Sequence, residues 1–529
     1  MYYTRDTEDK EVILDAVNKI ASRITSTMGP RGRYVLIDDT QRVKSTKDGA
    51  QVAKYQNYED RTESLIAKMV LDACLATEKY AGDGTTLTAL LIQKMVKVGF
   101  EMIEKGQPST SVASVFQDFV TEAIKSLKES KIDVVKEGKV DLALLHKVCM
   151  TSSNGNTEVS RIVTEMFDKL GQDSLVQVLM TEQTETTTQI KEGYSLNTGM
   201  VSNLFFRSGD SIRYEKPLIL LTNQIIDRIE QLAPAMKAWQ ESPVYQKRPL
   251  VIFCNGCHGT AMQNLLMNFQ RNGIQIAVIE NPSHADTIHI LRDIQLISGA
   301  GNIFSPISGA TLKKFSTEGV SDFGEVESIE INLKTTALFY DKEGSTHQGD
   351  LSDLIPEHID EILDMIKENP DSAPLHRMRI ARLTGGIGVI NIGAPSHAAR
   401  ENLKDSYDDT YLAARAACMQ GVVIGGGMAL PTAMFGYMGL FELGEIIDAP
   451  LVQIMANADC EDYHGKYAIC LKNPGNTITF NGTNIEVVHA VKRGILDPYL
   501  SIEQALTNAF SVAEQIIRTS YFQYLEHHG

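Results

Sequence analysis

The chain has 529 residues, of which 43% are hydrophobic and 22% charged, so it is long enough for several folded domains and unlike a disordered polymer. Its formal net charge of −17 argues against a protein that binds nucleic acid by neutralising phosphates. The seven cysteines are scattered, which is typical of a reducing cytoplasm rather than of a disulfide framework. Met1 to Lys10 is polar and charged, so we expect no signal peptide.

The first part of the chain predicts helices separated by glycine turns. Apolar residues at helical spacing predict a helix from Glu11 to Thr27, which ends at Met28-Gly29-Pro30. A short strand is expected from Tyr34 to Asp38, followed by a turn at Lys47-Asp48-Gly49. Two further helices follow, and the second of them runs from Thr85 to Lys105.

The most informative local motif, Ala81-Gly82-Asp83-Gly84-Thr85-Thr86, joins these two helices. Glycine lets backbone N–H groups approach an anion, and the N-terminus of the following helix adds a favourable dipole. The Asp83 carboxylate would bind a cation such as Mg²⁺. Together these features suit a nucleoside triphosphate, although an ordinary Gly-Asp-Gly turn explains this segment equally well on its own.

The central part of the chain, from about Lys191 to about Asp371, has a different pattern. Buried strands are predicted at Leu250–Phe253 and Ile274–Ile279, with a helix at Ala261–Gln270 between them. Apolar strands that alternate with helices indicate an α/β unit inserted into a mainly helical frame.

Two local patterns resemble functional motifs but are interpreted as structural. Ala416 to Phe441 contains no charged residue, yet its glycines and Pro431 favour a buried loop over a membrane span. Cys254-Asn255-Gly256-Cys257-His258 matches the pattern of c-type haem attachment. It follows a predicted strand where a turn is required, so we interpret it as a turn, with redox or zinc use as alternatives.

Several motifs occur in an order that resembles a GroEL-type group I chaperonin. The resemblance covers essentially the whole chain and is weakest in the central segment. The motifs are Thr27-Met28-Gly29-Pro30, Lys47-Asp48-Gly49, Gly82-Asp83-Gly84-Thr85-Thr86, Asp409, Gly425-Gly426-Gly427 and Gly494-Ile495-Leu496-Asp497-Pro498.

The resemblance implies an α+β multidomain fold. Residues 1–129 and 410–529 would form a mainly helical equatorial ATPase domain. Residues 130–190 and 372–409 would form a small intermediate domain, and 191–371 an α/β apical domain that binds substrate. Gly193, Gly385 and Gly386 would be hinges, although ordinary turn glycines are an equally good interpretation.

The resemblance also implies a site for ATP and Mg²⁺, with K⁺ as a further candidate ion. Asp83 would ligate Mg²⁺, Asp409 would be the base that orients the attacking water, and Asp48 would help to position that water. The adjacent Asp408 points about 100° away on a helix, so it would not share the water. The residues expected to contact ATP are Thr27, Met28, Gly29, Pro30, Lys47, Asp83, Gly84, Thr85, Thr86, Gly426, Asn481, Gly482 and Asp497.

Asp497 would accept hydrogen bonds from the ribose hydroxyls. Its structural alternative is a helix N-cap ahead of Pro498.

In the central domain the resemblance implies an apolar surface that holds unfolded polypeptides. A methionine-rich surface suits such binding because the flexible thioether adapts to many shapes. Core packing is the alternative for each methionine. The matching residues are Met200, Leu204, Phe205, Ala233, Met236, Met262, Leu266 and Met267.

The sequence departs from the family where charge pairs usually couple subunits and domains. One pair is replaced by His397 and Thr198, and a second by Asn156 and Ser406. Losing both members avoids an unpaired charge. The departures indicate a divergent member, with a bacteriophage origin as one explanation, and leave cooperativity, ring number and the need for a co-chaperonin lid open.

We therefore expect an ATP-hydrolysing protein-folding chaperonin, assembled as a homo-oligomeric, heptameric ring in the cytoplasm, or in the host cytoplasm if it is virus-encoded. Its partners would be unfolded polypeptides, with neither nucleic acid nor membrane involved. One alternative is a ring-forming holdase that binds ATP without refolding its substrates. A metabolic kinase is a third hypothesis, which the absence of a Walker A sequence disfavours.

Overall fold

Packing divides the chain into two compact units. The first unit comprises Met1–Gln172, Val178–Thr187 and Asn391–Gly529, and the second comprises Asp173–Gln177 and Thr188–Ile390. The computed structural model describes residues 2–6, 10–39, 42–56, 58–136, 138–172, 175–206, 211–282, 287–305, 315, 322–333, 335–346, 349–369, 372–435, 441–472, 478–519 and 521–525.

Helices and strands are numbered separately along the chain. The helices are α1 Lys10–Thr25, α2 Gly49–Lys54, α3 Arg61–Ala81, α4 Thr85–Glu104, α5 Ser109–Ser130, α6 Leu142–Ser152, α7 Thr157–Leu170, α8 Ala233–Glu241, α9 Gly259–Asn272, α10 Thr287–Ser298, α11 Leu351–Glu368, α12 Ala373–Thr384, α13 His397–Gln420, α14 Ala429–Ala433, α15 Gly444–Asn457, α16 Tyr463–Lys472, α17 Ala490–Arg493 and α18 Tyr499–Arg518.

The strands are β1 Tyr2–Asp6, β2 Val35–Asp39, β3 Arg42–Thr46, β4 Val135–Lys136, β5 Lys139–Val140, β6 Leu175–Met180, β7 Thr187–Leu196, β8 Ser211–Glu215, β9 Leu218–Thr222, β10 Ile225–Ile226, β11 Leu250–Cys254, β12 Gly256–Cys257, β13 Ile276–Glu280, β14 Ile303–Phe304, β15 Gly324–Glu325, β16 Ser328–Asn332, β17 Thr336–Phe339, β18 Ser345–Thr346, β19 Gly349–Asp350, β20 Gly386–Ile392, β21 Val422–Ile424, β22 Ile478–Asn481, β23 Glu486–His489, β24 Leu496–Pro498 and β25 Tyr521–Leu525.

The first unit is mainly helical and is built from both ends of the chain. Helix α4 packs against α1, α3, α5, α15 and α18. It is apolar on most of its faces, as expected for a helix surrounded by others. The apolar face predicted for the first helix (Ile13, Val17, Ile20 and Ile24) is buried in this core. The terminal strands β1 and β25 pair antiparallel, so the chain ends meet within one unit.

Two short antiparallel pairs bring distant loops of the first unit together. Strand β21, which follows α13, pairs with β24, so Val423 lies opposite Asp497. Strands β22 and β23 form a hairpin in which Asn481, the last residue of β22, lies opposite Glu486. Residues from the last quarter of the chain thereby lie beside the segment that follows Asp409.

The second unit is an α/β domain. The strands predicted at the positions of β11 and β13 are neighbours in a sheet of order β13-β11-β9-β14. They run parallel, with Leu250 opposite Ile276, and α9 connects them. Their residues are buried with one exception, which explains their continuous apolar runs. A six-stranded sheet has the order β6-β20-β7-β17-β16-β8.

A buried ionic network joins α10, α11 and α12 in the second unit. Asp293 and Arg379 are fully buried, and Arg379 donates to both carboxylate oxygens at 2.9 and 2.6 Å. Tyr194 donates to Asp293 at 2.8 Å, and His358 Nε2 lies 2.9 Å from the same carboxylate. Burial raises the pKa of Asp293, but the bonds from Arg379 and His358 outweigh that effect and lower it overall.

The predicted α+β multidomain fold is confirmed, since a mainly helical unit and an α/β unit both occur. The proposed boundaries of three domains stay a prediction. No helix among the described residues is long and apolar enough to cross a membrane, including those that overlap Ala416–Phe441. Around the predicted hinges the chain is close-packed: a Cβ atom at Gly193 would lie 2.5 Å from Ile387, and one at Gly386 2.7 Å from Ile190. These contacts explain the glycines sterically, and their hinge role stays a prediction.

Candidate nucleotide site and apolar surface

The turn between α3 and α4 has the backbone geometry that the glycine motif predicts. Gly82 ends α3 at φ 76°, and Gly84 is the N-cap of α4 at φ 100°. Both values lie in the left-handed region, which glycine adopts without strain. Asp83 accepts a hydrogen bond from the Gly84 N–H at 2.6 Å. Because the N-cap is a glycine, no side chain caps the N-terminus of α4, a helix of twenty residues. A helix N-terminus of this kind suits phosphate.

The loop that precedes α2 lies against the start of α4. A Cβ atom at Gly49 would overlap the Thr86 hydroxyl and lie 3.3 Å from the Thr85 hydroxyl. Asp48 immediately precedes this glycine and is the N-cap of α2, where one carboxylate oxygen accepts from Ala50 N–H at 2.8 Å. The predicted turn at this point is therefore the start of a short helix, and Asp48 has a structural role alongside its candidate catalytic one.

Asp409 projects from α13 toward the same two loops. Its pKa is raised well above the ordinary value, first by burial and then by the charges of Asp48 and Asp83. Asp48 and Asp83 are therefore close enough to Asp409 to disfavour its charged form. The adjacent Asp408 instead accepts a hydrogen bond from Lys404 at 2.6 Å.

Asp497 approaches the glycine loop that follows α13. A Cβ atom at Gly425 would lie 2.8 Å from its Oδ1 atom, so only glycine leaves the carboxylate room. Burial, with a contribution from the charge of Asp83, raises the pKa of Asp497 to about 7. The N-cap of α18 is Pro498, so the helix-cap alternative for Asp497 does not apply.

Gly29, Pro30 and Gly482 surround Ile454 and form an apolar corner. A Cβ atom at Gly482 would lie 3.0 Å from Pro30 and 3.3 Å from Ile454. Arg31 donates to the Thr483 carbonyl at 3.0 Å and closes this corner. An apolar surface of this kind suits a purine base.

Three of the residues predicted to contact ATP make contacts within the protein. The Thr27 hydroxyl donates to Ile24 O at 2.8 Å, so it serves the end of α1. Lys47 lies over the ring of Tyr34 with its Nζ atom 4.8 Å from the ring centre. The Met28 carbonyl accepts from the Asn457 side chain at 2.8 Å.

Sequence reasoning missed several residues that shape the site. Thr479 donates to Gly425 O at 2.6 Å, beside Gly426, and so fixes the glycine loop. Gln51 donates to Asp405 at 3.2 Å and joins α2 to α13. Gln51 and Asp405 are 354 positions apart and match no motif, so no local signal identifies them. For Arg31, the adjacent basic residues after Pro30 were the available signal.

The donor set fits Mg²⁺ carried in with a nucleotide. Asp83 and Asp409 are exposed to solvent, yet the surrounding protein partly desolvates each carboxyl group and raises its pKa. This combination is expected for carboxylates in an open cleft. Across the described residues, no three acidic, histidine or cysteine side chains form a ready-made metal cage. Mg²⁺ commonly uses one or two carboxylates together with substrate phosphates, so Asp83 with ATP is a suitable pair.

The candidate polypeptide-binding residues of the second unit differ in exposure. Leu204 is 53% exposed and Met267 44% exposed. Met200 and Phe205 are 4% and 0% exposed, and Phe205 packs edge-on against Phe269 in the core. These two side chains are not presented to a bound chain in this structure, so core packing describes them here. Ala233 is exposed, and the three partly buried members are Met236, Met262 and Leu266.

The Cys254-to-His258 segment turns at Asn255, between the end of β11 and the short strand β12, and leads into α9. Both cysteines are buried, whereas Asn255 and His258 are exposed. Burial raises the pKa of the Cys254 thiol to about 12 and that of Cys257 to about 11. Neither thiol is therefore a ready nucleophile or metal ligand at neutral pH. The turn borders a cavity of about 460 Å³ that Val201, Met262 and Glu280 also line.

Comparison with solved structures identifies the fold. A crystal structure of the chaperonin gp146 from bacteriophage EL 2 (Pseudomonas aeruginosa), in the presence of ATP-BeFx (crystal form II), matches 99% of both chains with a TM-score of 0.74 and 20% identity. Its crystal form I matches with a TM-score of 0.66 and 19% identity. The fold is that of a chaperonin along the full length.

Comparison with known sequences finds chaperonin relatives. The model of the TCP-1/cpn60 chaperonin family matches residues 20–239. The mitochondrial chaperonin homologue Hsp-60 of Caenorhabditis elegans is 29% identical over 532 residues, which cover 97% of this chain and 90% of the relative. The chain is thus similar in sequence to members of the TCP-1/cpn60 chaperonin family. The resemblance drawn from the ordered motifs is thereby confirmed.

Proposed function

We propose that this chain is the subunit of an ATP-driven protein-folding chaperonin. The similarity to chaperonins implies an ATP-dependent role in protein folding. The observation that best supports a working site is the set of four carboxylates, from three separate parts of the chain, around the glycine turn before α4. These are Asp48, Asp83, Asp409 and Asp497.

The candidate residues have separate tasks at the phosphates. Mg²⁺, when bound with ATP, would supply positive charge that offsets the negative charge developing on the phosphates during hydrolysis. Asp83 would hold that ion, and the N-terminal amides of α4 would bind the phosphates. Asp409 would accept a hydrogen bond from the attacking water and so orient it toward the phosphate. Asp48 would position the same water through the oxygen atom that does not cap α2.

The nucleoside would lie at the other end of the site. Asp497 would accept hydrogen bonds from ribose hydroxyls, and the corner formed by Pro30, Gly482 and Ile454 would hold the base. Hydrolysis would switch the apical domains between capturing non-native chains and releasing them into the cavity of a heptameric ring. Leu204 and Met267 are the capture residues that their exposure favours most.

Imaging and a refolding assay together test this proposal. Negative-stain electron microscopy should show single or stacked rings with a central cavity. A chemically denatured test enzyme should recover activity in the presence of the protein and Mg-ATP, and less without ATP. A stable monomer would contradict the folding chamber. Suppressed aggregation without ATP-dependent recovery would favour the holdase, and a phosphorylated small-molecule product would favour the kinase.

A further inference from the structure

One face of α13 carries Asp409 and docks along the wall of the candidate site. Asp405, Asp409, Leu412 and Ala416 are spaced four, three and four residues apart, so they share this face. Ala416 is buried in a small cluster with Ala81 and Leu500. Leu412 packs directly on Gly82, where a Cβ atom would overlap its side chain. The C-terminal half of this face is thus held by apolar contacts.

The N-terminal half of the same face is held by a hydrogen bond. Gln51 Nε2 donates to Asp405 Oδ2 at 3.2 Å, and the bond is partly buried. Asp48 is the N-cap of the short helix α2, and Gln51 lies three residues later within that helix. Asp405 lies one turn before Asp409 on α13. The bond therefore joins the helix that presents Asp48 to the helix that presents Asp409.

We propose that Gln51 is a positioning residue for ATP hydrolysis: its side-chain amide holds the Asp405 turn of α13 against α2 and thereby keeps Asp409 beside Asp48 and Asp83. This inference rests on the catalytic role proposed for Asp409.

The charges around Asp409 give such a contact a purpose. Asp48 and Asp83 lie outside α13, and both disfavour the charged form of Asp409. Their repulsion of Asp409 therefore opposes the docking of α13 at the site. A neutral amide donor offsets it without adding charge, whereas an acidic residue at position 51 would add to it.

Steady-state hydrolysis of Mg-ATP by the full-length protein tests the proposal. Gln51→Met keeps the size of the side chain and removes the donor. We expect kcat to fall roughly two- to tenfold with KM for ATP within about twofold, because one hydrogen bond is lost at a distance from the nucleotide. Gln117→Met is the matched control, since Gln117 lies exposed on α5 and donates only within its own helix.

Exchanging donor and acceptor separates positioning from general stability. Gln51→Glu should lower kcat more than Gln51→Met does, because two carboxylates then face each other. Asp405→Asn keeps an acceptor oxygen and should retain most of kcat. The double variant Gln51→Glu/Asp405→Asn restores a donor–acceptor pair and should recover kcat relative to Gln51→Glu alone. Hydrogen exchange along residues 401–412 should be faster in Gln51→Met than in the wild type.

Several outcomes would overturn the proposal. Unchanged kcat in Gln51→Met refutes it, as does a parallel loss of kcat and thermal stability that the double variant does not repair. An inactive wild-type protein, or full activity in Asp409→Asn, refutes the proposed function and this inference together. If the wild type is active, Asp409→Asn is inactive and the Gln51 variants behave like the wild type, this inference alone is refuted.

Discussion

Replacing Asp497 by asparagine should stabilise the nucleotide-free protein while weakening its binding of ATP. The carboxyl group has an ordinary pKa of 3.8, which burial and the charge of Asp83 raise to about 7. The carboxylate form is thus disfavoured in the folded state. An amide of the same size removes that charge but also loses one of the acceptors proposed for the ribose hydroxyls.

The size and pH dependence of the effect follow from the pKa. A rise from 3.8 to about 7 corresponds to roughly 4 kcal/mol, at about 1.36 kcal/mol per pKa unit. Asp497 is partly exposed to solvent, which screens its charge, so we expect about 1–2 kcal/mol. The folded state binds more protons than the unfolded state between these two pKa values. The penalty is therefore absent below about pH 4, grows as pH rises, and is complete above about pH 7.

Thermal unfolding of the nucleotide-free protein measures this effect. At pH 8 the Asp497→Asn variant should unfold several degrees above the wild type, since about 1 kcal/mol shifts Tm by roughly 2–4 °C in a large domain. The difference should shrink at pH 5, and calorimetry should show weaker ATP binding at pH 8. Asp118→Asn, on the exposed surface of α5, is the matched control. A variant that is no more stable at pH 8, or whose gain does not depend on pH, would refute the reasoning.

Three further predictions concern both units. Asp409→Asn should lower the rate of phosphate release on the order of a hundredfold or more, because the candidate base is removed. Calorimetry should show an ATP affinity that is unchanged or tighter, because a repelling charge is removed as well. Turnover equal to that of the wild type would contradict the role of Asp409. Leu204→Ser combined with Met267→Ser should weaken capture of a denatured test protein in an aggregation assay without lowering Tm, since both side chains are exposed; unchanged capture would remove this surface from consideration. Arg379→Met should destabilise the second unit by about 3–5 kcal/mol, because buried Asp293 loses its guanidinium partner. Urea titration followed by fluorescence of the single tryptophan, which lies in that unit, measures this loss, and a change below about 1 kcal/mol would contradict it.

Local chemistry explains which parts of the fold could be predicted from the sequence. The turn at Gly82-Asp83-Gly84 was predictable because left-handed backbone positions select glycine. The adjacent strands β11 and β13 were predictable because strands buried on both faces are continuously apolar. In contrast, Lys47-Asp48-Gly49 was assigned to a turn and begins α2, since six residues are too few to show a helical period.

Contacts between distant segments explain which parts of the site could not be predicted. The sequence around Phe205 does not indicate that α9 covers this side chain. An apolar residue gives the same sequence pattern whether it lies in a core or on a binding surface. The Gln51–Asp405 bond links positions 354 residues apart and depends on how two helices dock. A single sequence contains the residues of such a contact but not their pairing.

The electrostatics of the nucleotide-free site connect these predictions. Burial and the charges of neighbouring carboxylates raise the pKa values of both Asp409 and Asp497, so the charged form of each is disfavoured in the folded protein. A bound divalent cation would reverse the sign of that interaction, because a nearby positive charge favours the carboxylate form. Binding of Mg-ATP should therefore tighten the docking of α13 at the same time as it completes the site. In that case Asp409→Asn would lessen the dependence of α13 docking on the cation, and hydrogen exchange along α13 should respond less to Mg-ATP than in the wild type.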